Sequence, residues 1–211
     1  PLGSTIEILR RLLYPFAAAV VMQTEQGLEW LKSRRIYSNN GVVIPNPVTY
    51  PMVPSKPVVN PKDIIIGVRK ICLSVGRLSN EKRCSEIIYA FNHVACKFPD
   101  WDLVFLGEGP ERADLEHIVS DLGLKNRVHL PGHVGNLSDW YFYADVYVMN
   151  SRFEGFPNSL LEAMAHGMTV ISSNCDTGPK EIITNGVDGL LVDIFGGRLA
   201  PSSAMEQIFG D

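Results

Sequence analysis

The sequence predicts an α/β fold, a parallel sheet covered by helices on both faces. Apolar runs alternate with amphipathic stripes from residue 71 to residue 192. The runs are continuous rather than alternating, as strands read when both faces of a sheet are buried. The 211-residue chain, 45% hydrophobic and 20% charged, has the composition of a globular protein with a packed core. Strand-helix alternation of this kind builds βαβ units.

The elements follow in order. Pro1-Leu2-Gly3-Ser4 reads as the remnant of a cleaved expression tag, with Thr5 as an engineered start. Residues 5–13 (TIEILRRLL) predict a short helix, 17–23 (AAAVVMQ) a buried strand, and 25–35 a second helix. Residues 41–44 form a short strand that ends at Pro45 and Pro47. Six prolines between Pro45 and Pro61 then mark a linker or surface loop, taken as 45–69, and a domain boundary.

The regular pattern starts at 70 and is assigned to the end of the chain, 70–211. A strand at 71–76 precedes a helix at about 81–98, where Ile87, Ile88, Phe91, Val94 and Ala95 share one face. A strand at 102–106 precedes a helix at about 111–122, striped by Leu115, Ile118, Val119 and Leu122. Next come a strand at 127–130, a helix near 137–143, a strand at 145–149 and a helix at 158–166. A strand at 169–173, a helix at 179–184 and a strand at 189–192 complete the series.

Bulk properties exclude several classes. The net charge is -4 with no basic stripe, so nucleic acid is not an expected partner, and Trp140, Tyr141, Phe142 and Tyr143 read as core and rim. Cys72, Cys84, Cys96 and Cys175 lack C-x-x-C spacing and read as reduced thiols of a cytosolic chain, with no metal site. No apolar run is long enough to span a bilayer.

In such sheets ligands bind at the carboxyl ends of the strands. Three loops there carry chemistry. Gly76-Arg77-Leu78 and Lys82 offer a bidentate fork and a point charge, a diphosphate clamp if they are not merely solvated cations. Gly107-Glu108-Gly109-Pro110 is a tight turn, but Arg112 stands where a dinucleotide fingerprint needs a third glycine, so a dehydrogenase is rejected. Ser151 to Asn158 runs into a helix, with Glu154 before the helix start and Glu162 about one turn inside. Two acceptor-only carboxylates can grip hydroxyls of two different sugars, and the helix amides between them suit phosphate. A glycoside hydrolase also uses two carboxylates but has no need of a phosphate-friendly helix start between them.

Glu154-x7-Glu162 within SRFEGFPNSLLEAMAHG resembles the E-x7-E signature of family 4 retaining glycosyltransferases, which have the GT-B fold. SVGRLSNEK, LVFLGEGPE, RVHLPGHV, ADVYVMNSRFEGFPNSLLEAMAHG and GPKEIITNGVDGLLV occur in the family's order, and the likeness covers about residues 10–192. It implies that residues 70–211 are the Rossmann-like donor-binding half, and that residues 5–44 are a remnant of the N-terminal domain and its crossover. The tail after Val192 does not continue into the family's long C-terminal helices, so these read as incomplete.

The resemblance also implies roles. Arg77 and Lys82 would neutralise the donor diphosphate, Glu154 would hold the transferred sugar through its 3- and 4-hydroxyls, and Glu162 would hold the ribose. Gly155, Phe156, Pro157 and the amides of Asn158, Ser159 and Leu160 would frame sugar and phosphates. Gly107, Glu108 and Gly109 would shape the cleft floor beside Gly76, and Val128 and Leu130 would contact the base, with His129 and His133 flanking it. His166, which has no partner spaced for chemistry, reads as packing.

The implied activity is transfer of a sugar from UDP-N-acetylhexosamine or a UDP-hexose, without metal or other cofactor, to a lipid-linked or polysaccharide acceptor. The implied place is the cytoplasm, peripherally at the inner face of the cell membrane, as in bacterial surface-polysaccharide transferases. The family's glycine-rich donor loop and N-terminal histidine are not in this sequence, so the chain alone is expected to be inactive. Two alternatives stay open: a nucleotide-sugar-binding module without turnover, and a GT-B nucleotide-sugar epimerase or a phosphorylase.

Overall fold

The computed structural model describes residues 4–34, 39–193 and 200–210. An N-terminal part comprises α1 (Ser4–Leu13), β1 (Val20–Met22), α2 (Glu25–Ser33) and β2 (Gly41–Val43), with β1 and β2 paired in a two-stranded parallel sheet. The tag reading at 1–3 and the last residue of the 25–35 helix lie outside the described residues. The 17–23 run is shorter and less buried than expected. Only Val20 is buried, Met22 is partly buried against the same small cluster and Val21 is 55% exposed, because β2 alone pairs with this strand.

The main body contains α3 (Pro61–Ile64), β3 (Lys70–Val75), α4 (Cys84–Ala95), β4 (Trp101–Leu106), α5 (Arg112–Asp121) and β5 (Val128–Gly132). It continues through α6 (Leu137–Tyr143), β6 (Val146–Met149), α7 (Asn158–Ala165), β7 (Thr169–Ser173), α8 (Pro179–Ile182), β8 (Leu190–Val192) and α9 (Ala200–Gly210). Six parallel strands lie in the order β5-β4-β3-β6-β7-β8. Two cores flank the sheet. One sets Phe105 and Val148 against Ile88 and Phe91 of α4 and Leu115 of α5; the other sets Tyr147 and Val170 against Trp140 of α6 and Leu160 of α7. The Rossmann-like fold class read from the sequence is the one observed.

Beyond shifts of one or two residues at other element ends, three departures from expectation stand out. The helix expected at 81–98 begins at Cys84. Asn80–Lys82 form a 3-10 turn instead, and Arg83 adopts a left-handed conformation (φ 52°) that interrupts the helical path. The strand expected at 127–130 runs on to Gly132 through Pro131. Proline is tolerated because β5 is an edge strand, and its register against β4 shifts between Val104 and Leu106. The tail forms α9, an 11-residue helix over α4, with Met205 buried and Phe209 stacked on Trp101 at a centroid distance of 3.8 Å.

The proline-rich stretch is a strap laid along α6. Asn136 accepts from the Val59 amide (2.9 Å) and donates to the Val59 carbonyl (3.0 Å), which also takes the Trp140 indole N–H (3.0 Å). The Ser55 amide donates to the Gly135 carbonyl at 2.8 Å, and a Cβ on Gly135 would stand 2.0 Å from the Ser55 carbonyl oxygen. Among the described residues no helix is long and apolar enough to cross a membrane.

Candidate functional site

Strand order fixes where a ligand can bind. The chain leaves β3 toward β4 on one side and β6 toward β7 on the other, so a crevice opens at the carboxyl ends of β3 and β6. The loops after these two strands hold Lys82 and Glu154. Lys82 Nζ lies 2.5 Å from Glu154 Oε1, and Ser151 Oγ donates to the same oxygen at 2.6 Å. The Arg152 amide donates to the Glu81 carbonyl at 2.7 Å, a second tie between the loops. Arg77 is exposed on the β3 loop. The Ser79 hydroxyl and the Glu81 amide, helped by the charges of Arg77 and Arg152, hold the Glu81 carboxyl below its ordinary pKa.

The β3 and β4 loops touch backbone to backbone. Gly76 N–H donates to Leu106 O (2.9 Å), Leu78 N–H to Glu108 O (3.0 Å) and Glu111 N–H to Leu78 O (3.1 Å). A Cβ on Gly109 would stand 2.2 Å from Leu78 O, so Gly109 is required by this approach. Arg112 serves the α5 start instead of a dinucleotide. It ion-pairs with Glu108 (2.7 Å) and Glu116 (2.9 Å) and donates to Leu130 O (2.7 Å). A cavity of about 380 Å3 lies over these loops, lined by Gly76, Arg77, Gly107, Glu108, His133 and Val134 among others.

That lining includes neither Val128 nor Leu130, the two residues expected to contact a base. Val128 is buried in the core beneath α4 and α5, and the Leu130 side chain packs against the same core. Because β5 extends to Gly132, the residues at its carboxyl edge are His133 and Val134. The sequence flagged His133 as a flanking residue and missed Val134. The extra strand length through Pro131 was the unread signal. His129 sits at the amino end of the sheet, 3.1 Å from Asp102, away from the crevice.

The α7 start is braced from beneath. Thr177 Oγ1 donates to the Glu154 carbonyl, and left-handed Gly178 (φ 86°) lets Pro157 pack closely, since a Cβ there would stand 2.8 Å from Pro157 Cδ. Pro157 has no N–H to offer, and its carbonyl accepts the Leu160 amide at 3.1 Å. Leu160 therefore leaves the set of ligand-facing amides, and its side chain is core. Asn158 and Ser159 precede that first bond, so their amides are the helix-start donors. Ser159 Oγ is 2.8 Å from Tyr147 OH, and Tyr141 OH donates to Glu162 Oε2 at 3.0 Å. Burial raises the pKa of both tyrosines, so both hydroxyls stay protonated. Phe156 is half-buried, and Gly155 is exposed, with open space where a Cβ would be.

Two links from the N-terminal part were not anticipated. Asn46 donates to Asn158 Oδ1 (2.9 Å) and accepts from Gln23 (2.7 Å), and the Glu181 carboxylate accepts from the Glu25 amide at the start of α2 (2.9 Å). His166 is a packing residue. Its ring nitrogens meet Glu162 O (2.7 Å) and Ser138 Oγ (3.0 Å), and its ring lies among Tyr50, Tyr141 and Phe142.

Known proteins agree with this architecture. The amylovoran biosynthesis glycosyltransferase AmsD of Erwinia amylovora is 27% identical over 211 residues, 98% of this chain and 58% of the relative. A lipopolysaccharide 1,6-galactosyltransferase of Salmonella typhimurium is 30% identical over 81% of this chain and 48% of its own length. The chain thus spans about half the length of these curated relatives. The Anabaena HepE protein, crystallised with UDP and glucose, superposes with a TM-score of 0.81 at 20% identity, covering 99% of this chain and 58% of that one. The family model for group 1 glycosyl transferases matches residues 60–195, and the chain belongs to that family.

Proposed function

We propose that this chain is the donor-binding half of a retaining glycosyltransferase that uses a UDP-sugar. One observation carries the reading: the strand-order switch brings the Lys82 and Glu154 loops into contact beside the start of α7. Cations, helix-start amides and two carboxylates then line one crevice, as a sugar diphosphate requires. Arg77 and Lys82 take the diphosphate, Glu154 the transferred sugar and Glu162 the ribose, while His133 and Val134 replace Val128 and Leu130 beside the base.

As the bond from sugar to diphosphate breaks, negative charge collects on the leaving group. Fixed cations stabilise that charge more than the ground state, which is how they accelerate transfer. With Arg77, Lys82 and a helix start at that position, no metal is needed. The acceptor is a lipid-linked or polysaccharide glycan handled at the cytoplasmic membrane face, in keeping with relatives named for amylovoran and lipopolysaccharide synthesis.

The test is calorimetric titration of this chain with UDP, GDP and ADP, with and without EDTA, repeated on Glu162→Ala. Selective UDP binding that survives EDTA and weakens in the variant is expected. Tight binding that requires a divalent metal, or that ignores Glu162, would overturn it.

A further inference from the structure

We infer that the Lys82–Glu154 pair is a latch exchanged by the donor: the diphosphate takes Lys82 from Glu154, and the sugar hydroxyls then satisfy the released carboxylate. This rests on the donor-site reading above and adds to it a coupling between the two recognition events.

The pair closes across the crevice. The Lys82 and Glu154 side chains are only 28% and 12% exposed, so neither is a freely solvated surface charge. Oε1 of Glu154 takes both the Lys82 and the Ser151 bonds. The Lys82 stem lies along the end of β3, its Cε 3.6 Å from where a Cβ of Gly76 would stand, and Gly76 lines the 380 Å3 cavity beside Arg77. Rotation of the stem carries the ammonium from Glu154 toward an anion bound beside Gly76 and Arg77. Glu154 stays in place, because Ser151 Oγ holds its carboxylate oxygen and Thr177 holds its backbone carbonyl.

A carboxylate left half-buried without its cation is costly. UDP alone imposes that cost, whereas a UDP-sugar offsets it through hydroxyls that donate to Glu154. The latch therefore favours intact donor over product. Once the sugar has left, Glu154 reclaims Lys82 and helps to expel UDP.

The experiment titrates wild type, Glu154→Gln, Lys82→Met and the double variant with UDP and with UDP-glucose. Glu154→Gln is expected to bind UDP about tenfold more tightly than wild type, the equivalent of about 1.4 kcal/mol, while UDP-glucose gains nothing or weakens. In the Lys82→Met background the glutamate change should no longer tighten UDP. A second readout needs no variant fold: the Lys82 ammonium resonance of the wild-type chain should shift on adding UDP. Equal or weaker UDP binding by Glu154→Gln, or an unmoved Lys82 resonance at saturating UDP, overturns the latch and leaves the donor site standing. Failure of wild type to bind either nucleotide overturns the donor reading, and the latch with it.

Discussion

A Cβ placed on Gly107 would stand 2.0 Å from the carbonyl oxygen of Gly76. The two strand-end loops are this close because Gly107 adopts φ +141°, and its amide donates to Gly132 O at 2.8 Å. Gly107→Ala therefore adds backbone strain to a backbone clash, a combined cost of about 2–3 kcal/mol. Urea unfolding should show it as a lower midpoint. A wild-type midpoint would mean that the loops can part at no cost.

Gly155→Ala is the matched control. A Cβ there meets nothing within 4 Å, and its φ is not left-handed, so stability should stay within about 0.5 kcal/mol of wild type. Titration with UDP-glucose should nevertheless show weaker binding if this backbone frames the sugar. Unchanged affinity would remove Gly155 from the site.

Tyr141→Phe deletes the hydroxyl that donates to Glu162 at 3.0 Å. The ring and its packing stay, so what changes is the orientation of the carboxylate. The bond is present without ligand, so its loss reaches UDP affinity only through the carboxylate's orientation, and a fall of roughly threefold to tenfold is expected. An affinity equal to wild type would mean that the Tyr141 hydroxyl does not set the orientation of Glu162 toward the nucleotide.

Asp102 gives an acid signature. Burial raises its pKa, but hydrogen bonds from His129 and Arg69 and the charge of Arg69 outweigh burial and hold it below the ordinary 3.8. Around and below that value the unfolded chain binds more protons than the folded one. Stability is thus fully present at higher pH and is lost as pH falls through the folded pKa. Unfolding free energies measured from about pH 6 to about pH 2.5 should fall steeply at the acid end, and Asp102→Asn should flatten that fall. An unchanged slope would show that the network does not couple to folding.

Phe209→Ala tests the C-terminal helix. The ring stacks on Trp101 at 3.8 Å and meets Phe98 edge-on at 5.6 Å. Its removal should cost about 3–4 kcal/mol in thermal or urea unfolding. Loss of less than about 1 kcal/mol would mean that α9 covers α4 only loosely.

The sequence by itself determined the sheet, the two-sided helix cover and the order of loops at the ligand edge. Burial on both faces forces continuous apolar strands, and that pattern is local and readable. It also singled out Arg77, Lys82 and Glu154 in loops after strands and Glu162 one turn inside the next helix, with their roles supplied by the family resemblance. Only the tertiary structure decided the rest. Strand order, which no single segment encodes, put Lys82 against Glu154 across the crevice. Two further residues of β5 placed His133 and Val134, not Val128 and Leu130, at the cavity. The Leu160 amide was spent inside its own helix start, and a proline-rich stretch that reads as a linker became a strap, because hydrogen-bond partners distant in sequence are fixed only when the chain packs.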